Sequence, residues 1–111
     1  GYYVGATAFP NNEIGIMAFD GRPFTAGFTT VLPPNSSSCI FGATVYGWAA
    51  SCATSYHSGG ANGAMTDGSV RFITETIDTG TMTSPQRVND PSPYGVWGAM
   101  GSASGGESTG I

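Results

Sequence analysis

The sequence contains no lysine and very little charge of either sign. Charged residues make up 9% of its 111 residues, and seven acidic residues against three arginines give a net charge of −4. The arginines, Arg22, Arg71 and Arg87, are scattered along the chain. Binding to nucleic acid or to anionic lipid requires several clustered cations, because these displace counterions from phosphate groups. The composition therefore argues against a nucleic-acid-binding protein and against a polybasic membrane-surface protein.

Long apolar runs are also missing from the sequence. No stretch approaches the roughly 20 apolar residues of a membrane-spanning helix. We therefore expect that the chain either starts after processing or is part of a longer precursor. A length of 111 residues is enough for one small domain, so we expect residues 1–111 to form a single globular domain.

Cysteine is scarce, with only Cys39 and Cys52 in the chain. Two cysteines alone make no convincing zinc site. A disulfide between them closes a short loop and contributes about 3 kcal/mol in the chain-entropy picture. A small, lysine-free chain rich in Ser and Thr fits an oxidising compartment, so we predict this disulfide. Two buried thiols are the alternative.

Glycine is abundant, with 18 residues, and 7 prolines and 13 aromatic residues accompany it. Helix signals are few and turn residues are many, which predicts a mainly β fold: a small antiparallel sheet with long Gly- and Pro-rich loops. Residues that precede a proline are extended, so Val31–Asn35 is predicted to be extended and Cys39–Cys52 to be a loop. The predicted short strands are Tyr2–Phe9, Ile14–Phe19 and Phe24–Thr30.

Asp67-Gly68 is the clearest local signal, because this pair favours the tight turn of a β-hairpin. Alternation after the turn predicts that Val70 and Phe72 face the core. The segments that follow are a predicted polar loop over Thr79–Pro93, a short helix or turn over Tyr94–Met100, and a tail over Ser102–Gly110 that is flexible unless neighbours hold it.

His57 is the only histidine. A catalytic interpretation pairs it with Asp67 and with Ser55 or Ser58 as nucleophile, but no nucleophile elbow surrounds these serines. We interpret His57 as a structural residue that hydrogen-bonds backbone groups at the entry to the hairpin. Asp67 is interpreted as the acceptor for turn amides beside Gly68. We therefore expect a protein that is not an enzyme, with a hydrolase using His57 as a remote alternative.

Calcium is the alternative to the expectation of no cofactor. Hard cations prefer six to eight oxygen ligands, and Glu75, Asp78 and Asp90 lie in or near one loop. No D-x-D-x-D-G spacing supports the site. Asn35-Ser36-Ser37 fits an N-glycosylation sequon. The aromatic residues have two possible roles. They fill the core or a subunit interface, or they form a platform on which sugars stack. The residues concerned are Tyr2, Tyr3, Phe41, Tyr46, Trp48 and Trp97.

Three motifs in the same order resemble those of one large bacterial family. The first runs from Phe28 to Ser36 and reads FTTVLPPNS, followed by Cys39; the second is His57, nine residues, then Asp67-Gly68. The third is VWGAMG from Val96, followed by Gly105-Gly106-Glu107. The family that they resemble carries prepilin-type N-terminal cleavage and methylation signals and is of unknown function, and its catalogue name has also indicated solute binding.

The resemblance implies a pilin-like subunit whose precursor begins with a long apolar helix. Such subunits polymerise through that helix and display a β-rich head at the cell surface. The helix is missing from these 111 residues: it was removed by design, was lost by proteolysis, or lies on a separate partner chain. We expect a homo-oligomeric extracellular filament or secretion pseudopilus that contacts a membrane only through that helix, with a carbohydrate- or solute-binding module as the alternative. The expected subunit contacts are Tyr2, Tyr3, Val4 and Trp97.

Overall fold

The described part of the chain contains two small antiparallel sheets and two short helices. The computed structural model describes residues 6–8, 18–21, 23–41 and 49–107. The mainly β fold class predicted from the sequence is confirmed. Neither described helix has the length and the apolar character of a membrane span. The elements are β1 (Ala6–Ala8), α1 (Pro23–Ala26), β2 (Cys39–Phe41), β3 (Ala49–Ala50), β4 (Gly60–Ala64), β5 (Val70–Thr74) and α2 (Gly95–Gly101).

The first sheet has the strand order β1-β2-β3, with both pairs antiparallel. Thr7 is opposite Ile40, and Cys39 is opposite Ala50. β1 lies inside the predicted strand Tyr2–Phe9. The prediction that Cys39–Cys52 is only a loop was wrong, because this segment contains strands β2 and β3. β3 consists of two alanines, which have low β propensity, so its sequence carried no strand signal.

The segment Phe24–Thr30 is not the strand that we predicted. It begins in α1 and continues as irregular backbone. Pro23 is well suited to the first position of a helix, because its missing N–H has no helical partner there. Thr25 is buried, and its hydroxyl donates to the carbonyl of Asp20 across the preceding turn at 3.2 Å. This local hydrogen bond competes with strand pairing.

β4 and β5 form the predicted hairpin around Asp67-Gly68. The amide of Met65 donates to the carbonyl of Ser69 at 2.8 Å, and the amide of Gly68 donates to the carbonyl of Met65 at 3.0 Å. Gly68 has a φ of 85°, a left-handed conformation that only glycine adopts without strain. The loop is therefore a three-residue turn that ends on glycine.

The side-chain faces of β5 are the reverse of those predicted. Ile73 is buried opposite Ala61, whereas Val70 and Phe72 are 68% and 51% exposed. Cross-strand partners lie on one face of a hairpin, so the buried pair sets which face points inward. The face that carries Val70 and Phe72 must then point outward. Alternation gives the period of a strand but not which of its two faces is inside, and this is why the prediction was wrong.

The core lies between the first sheet, the hairpin and α2. Its buried residues are Ala50, Cys52, Ala61, Ile73, Tyr94 and Trp97, with Thr25, Pro34 and Ser51 also buried. The segment from Thr29 to Asn35 runs beside the chain that leaves β3. The amide of Thr29 donates to the carbonyl of Ser51 at 2.7 Å, and the amide of Asn35 donates to the carbonyl of Ala53 at 2.9 Å.

Helix α2 confirms the helix predicted over Tyr94–Met100. A Cβ at Gly101 would collide with the side chain of Thr30, so the helix packs against the Thr29–Asn35 segment at van der Waals distance. The amide of Trp97 donates to the carbonyl of Asp78 at 3.0 Å and ties the helix to the chain that leaves the hairpin.

Candidate functional site

The side chain of Asn35 is the centre of a polar cluster at the base of the hairpin. Its Nδ2 donates to Glu75 Oε1 at 2.7 Å and lies 3.3 Å and 3.4 Å from the carbonyl oxygens of His57 and Gly60. Its Oδ1 accepts from the amide of Ser55 at 2.8 Å. We call these five residues the Asn35 node. They connect three parts of the chain that are distant in sequence.

Glu75 completes this node from the far end of β5. Its Oε1 accepts from the amide of Gly59 at 3.2 Å as well as from Asn35, and its own amide donates to the carbonyl of Gly59 at 2.9 Å. A carboxylate with two N–H donors makes stronger hydrogen bonds than a neutral acceptor does. The segment that carries His57 is therefore held at both of its ends.

The backbone conformation of Asn35 explains why asparagine occupies this position. Its φ is 62°, in the left-handed region, which a short polar side chain tolerates better than other non-glycine residues do. The amide of Ser36 donates to the carbonyl of Pro33 at 3.3 Å and closes the turn. The prediction that Val31–Asn35 is extended was therefore wrong, because the backbone bends at Val31 and Leu32 and turns at Pro34 and Asn35. The sequon amide of Asn35 is engaged inside the chain.

His57 lies in the segment that the node fixes, but its own ring is exposed. Its amide donates to Ser55 Oγ at 3.0 Å and its carbonyl accepts from Asn35. The imidazole makes no hydrogen bond with any residue of the described ranges. The contacts that anchor this position thus come from its backbone, whereas the sequence had assigned them to the ring nitrogens.

Asp67 lies at the opposite end of the hairpin from His57. The five residues of β4 separate them, which is about 15 Å at the rise of a β-strand. Asp67 Oδ1 accepts from the amide of Ser69 at 2.8 Å and from its hydroxyl at 2.6 Å. These two bonds, the hydroxyl first, lower the pKa of Asp67 below its ordinary value. The geometry gives Asp67 a turn contact and no contact with His57.

The three acidic residues proposed as calcium ligands lie in separate parts of the structure. Glu75 belongs to the Asn35 node, and Asp78 Oδ1 accepts from the amide of Gly80 at 2.9 Å. Asp90 is exposed in the 81–93 loop. Within the described residues, no group of three or more His, Cys, Asp and Glu side chains could hold a metal ion. Calcium binding at these residues stays a prediction.

Cys39 begins β2, and Cys52 follows the end of the neighbouring strand β3 by two residues. Cys39 is opposite Ala50, two residues before Cys52, and the amide of Cys52 donates to Ser38 Oγ at 2.8 Å. The side chain of Cys52 is buried in the core. The disulfide between them stays a prediction.

We expect reduction of the purified chain to increase its mass by about two hydrogens and to lower its free energy of unfolding by about 3 kcal/mol, since the loop constraint on the unfolded chain is lost. Intact mass spectrometry and urea unfolding with and without reductant measure both effects. A chain with Cys39→Ser should respond to reductant in neither experiment. An unchanged mass on reduction of the unmodified chain would contradict the disulfide.

Trp97 is a core residue, only 2% exposed. Its Nε1 donates to the carbonyl of Leu32 at 2.8 Å, and its ring stacks on Phe28 with centroids 6.1 Å apart. It therefore offers almost no surface to a neighbouring subunit, contrary to the expected interface role. The other expected interface residues, Tyr2, Tyr3 and Val4, lie outside the described residues.

An open groove of about 730 Å³ lies between the hairpin and the loop that precedes α2. Ile73 and Gly63 contribute to it from the inner face of the hairpin, and Tyr94 and Trp97 from the start of α2. The 82–90 loop supplies the apolar residues Met82 and Val88 beside the polar residues Gln86, Arg87, Asn89 and Asp90. The segments 28–31 and 100–104 complete the wall.

A family model described as a protein of unknown function (DUF1559) matches residues 17–80, more than half of the chain. The chain belongs to the DUF1559 family. No curated protein and no solved structure matches the chain.

The DUF1559 match contains the whole Asn35 node, both cysteines and the hairpin with Asp67-Gly68. Helix α2 and the tail that follows it lie beyond the matched residues. The Trp97 Nε1 bond to Leu32 nevertheless joins the matched part of this DUF1559 chain to α2. The motifs recognised in the sequence are therefore one connected structure.

The sequence did not reveal the central role of Asn35 or the role of Glu107. Asn35 entered only as an extended residue and as part of a sequon. The signal that could have identified it is its place after Pro33-Pro34, because asparagine after prolines is a common turn residue. Glu107 Oε1 accepts from the amide of Ser92 at 2.6 Å, so this part of the predicted flexible tail is held by the chain itself.

Glu107 should make the docking of the tail sensitive to acid. The backbone hydrogen bond from Ser92 holds the pKa of Glu107 below its ordinary value of 4.5. A lowered pKa in the folded chain stabilises it above the unfolded pKa, and this contribution is lost as the pH falls through the folded pKa. We expect the tail to loosen below pH 4.5, followed by hydrogen exchange of the Ser92 amide. Glu107→Gln should remove this pH dependence; an equal acid response in that variant would contradict it.

Proposed function

We propose that this chain is the pilin-like head of a structural subunit in an extracellular type IV pilus-like filament or secretion pseudopilus. The observation that supports it best is the number of large apolar side chains left exposed in so small a head. They are Phe19, Phe28, Tyr56, Val70, Phe72, Met82 and Val88. Exposed apolar surface of this kind usually marks contact with another protein.

Low charge supports the same proposal. Interfaces are depleted of charged residues at their centre, because each charge must lose its hydration when the surfaces meet. Only 9% of this chain is charged, so most of its surface can approach a neighbour at little electrostatic cost. The resemblance described above supplies the remaining part: an N-terminal helix, in the precursor or on a partner chain, that assembles the filament and contacts the membrane.

The motif residues also fit a structural protein. The polar side-chain atoms of Asn35, Glu75 and Trp97 make hydrogen bonds with other parts of the chain. The carboxylate of Asp67 closes a turn. None of these atoms is aimed at a common point where a reacting group could sit, as a catalytic site requires. We therefore propose a protein that is not an enzyme and that acts through assembly at the cell surface.

Immunogold electron microscopy of the producing cells tests the filament directly. Antibodies raised against the 111-residue chain should label regular surface fibres, and a strain that lacks the gene should lose both label and fibres. A strain that carries the gene on a plasmid is the matched control. Labelling confined to single particles, with fibres unchanged in the deletion strain, would contradict the proposal.

A solute-binding module is the second candidate, and the groove is the observation that favours it. Its volume of about 730 Å³ lies within the range of small-molecule sites, about 300–1,000 Å³. Polar residues of the 86–90 loop stand beside its apolar floor. Calorimetric titration with a panel of mono- and oligosaccharides tests this function. Heat that disappears in Asn89→Ala, with filament labelling absent, would favour the module over the filament.

A further inference from the structure

The two faces of the β4–β5 hairpin have opposite relations to the rest of the chain. The inner face carries Ala61 and Ile73, which are buried, and it forms part of the groove. The outer face carries Val70 and Phe72, and no part of the described chain covers them. We call Val70 and Phe72 the ridge. The end of the Phe72 ring lies beside Gly60, at the place that a Cβ of that residue would approach.

The groove is large enough and apolar enough to take the ridge of another copy. Met82 and Val88 form its lip and are themselves 36% and 78% exposed. Its volume of about 730 Å³ belongs to the size range that holds drug-sized ligands, which exceed the side chains of one valine and one phenylalanine. The groove therefore has room for the ridge.

The charges around the two surfaces are also complementary. Arg87 and Asp90 line the groove. Asp67 lies at the hairpin tip, three residues before Val70, whereas Arg71 pairs with Gly63 and so belongs to the inner face of the hairpin. A ridge can therefore enter a groove with Asp67 of one copy paired with Arg87 of the next copy at the rim. Such complementarity sets orientation and register more than it sets affinity.

We propose that the ridge of one copy inserts into the groove of the next copy, so that heads stack in a row. The ridge and the groove lie on opposite faces of the same hairpin, and a contact between two different surfaces repeats without closing unless its rotation closes a ring. The occupant of the groove is therefore a second copy of this chain. This inference rests on the proposed function and names the contact between heads in the filament.

Sedimentation velocity of the folded chain over a concentration series tests the contact. The unmodified chain should form a series of oligomers. A ridge variant, Val70→Ser with Phe72→Ser, and a groove variant, Met82→Asp with Val88→Asp, should each reduce the association constant at least about tenfold. Tyr56→Ser removes an exposed aromatic ring outside both surfaces and should associate like the unmodified chain. Circular dichroism checks that each variant is folded.

Mixing the two variants gives the sharpest result. The ridge variant keeps an intact groove and the groove variant keeps an intact ridge, so the mixture should form one-to-one dimers and nothing larger. Association abolished by the ridge variant but not by the groove variant would mean a symmetric ridge-to-ridge contact and would overturn the inference. A chain that stays monomeric at every concentration would overturn it too, while immunogold-labelled fibres would still support the proposed function.

Discussion

Replacing Asn35 with alanine should lower the free energy of unfolding by about 3 kcal/mol, measured by urea unfolding. The charged hydrogen bond to Glu75 and the acceptor bond from Ser55 contribute roughly 1–2 kcal/mol each, with some loss to solvent screening because the cluster is partly exposed. Alanine in a left-handed conformation costs about 1 kcal/mol more. The effect is large for a chain whose whole stability is about 5–15 kcal/mol.

Two further variants separate the contribution of the Asn35 hydrogen bonds to stability from the contribution of its backbone conformation. Asn35→Gly restores a residue that adopts positive φ easily, so it should recover about 1 kcal/mol of the loss. Asn89 offers a matched control, since its φ is 63° but its side chain accepts only one exposed hydrogen bond, from Ser104. Asn89→Ala should therefore cost about 1 kcal/mol. Equal losses in Asn35→Ala and Asn89→Ala would mean that the Asn35 node stabilises nothing.

The hairpin and α2 could be predicted because their signals are local. Asp67-Gly68 specifies a turn through the freedom of one glycine, and this is independent of the rest of the chain. Val96, Trp97 and Met100 have helical spacing, which needs no knowledge of a packing partner. Both elements appear in the structure at or near the predicted residues.

The wrong predictions about β3 and about the faces of β5 depended on partners that the local pattern does not contain. The outward direction of Phe72 follows from the burial of Ile73 against Ala61, and strand β3 exists because β2 is beside it. Neither fact is written in the local pattern. Short strands gain their stability from pairing and burial, so their sequences predict them weakly.

The candidate site shows the same division. The sequence identified His57 and Asp67 by their spacing, yet the residue that organises this region is Asn35, which contacts Glu75 across 40 positions of the chain. A side chain that hydrogen-bonds the backbone of several loops leaves no periodic signature. The three motifs could be recognised from the sequence. The contacts through which Asn35 and Trp97 connect them could not.

Replacing Trp97 with alanine should have the largest effect of any single substitution in the described part of the chain, about 4 kcal/mol of unfolding free energy. The side chain is 2% exposed, stacks on Phe28 and donates to the carbonyl of Leu32. Its loss opens a cavity between α2 and the segment that leads to Asn35. We expect the variant to be largely unfolded at 37 °C, which circular dichroism and thermal unfolding would show.

Trp97→Phe distinguishes the packing of this ring from its hydrogen bond. The smaller ring still stacks on Phe28, but the carbonyl of Leu32 loses its donor, so the expected cost is about 1–2 kcal/mol. Tyr56→Ala, in which a fully exposed ring is removed, should change stability by less than about 0.5 kcal/mol. If Trp97→Ala were as stable as Tyr56→Ala, α2 would not be part of the core, and the connection from the DUF1559 segment to the C-terminal motif would be lost. The order of costs from Trp97→Ala through Trp97→Phe to Tyr56→Ala therefore measures how strongly the helix secures the face on which the groove is built.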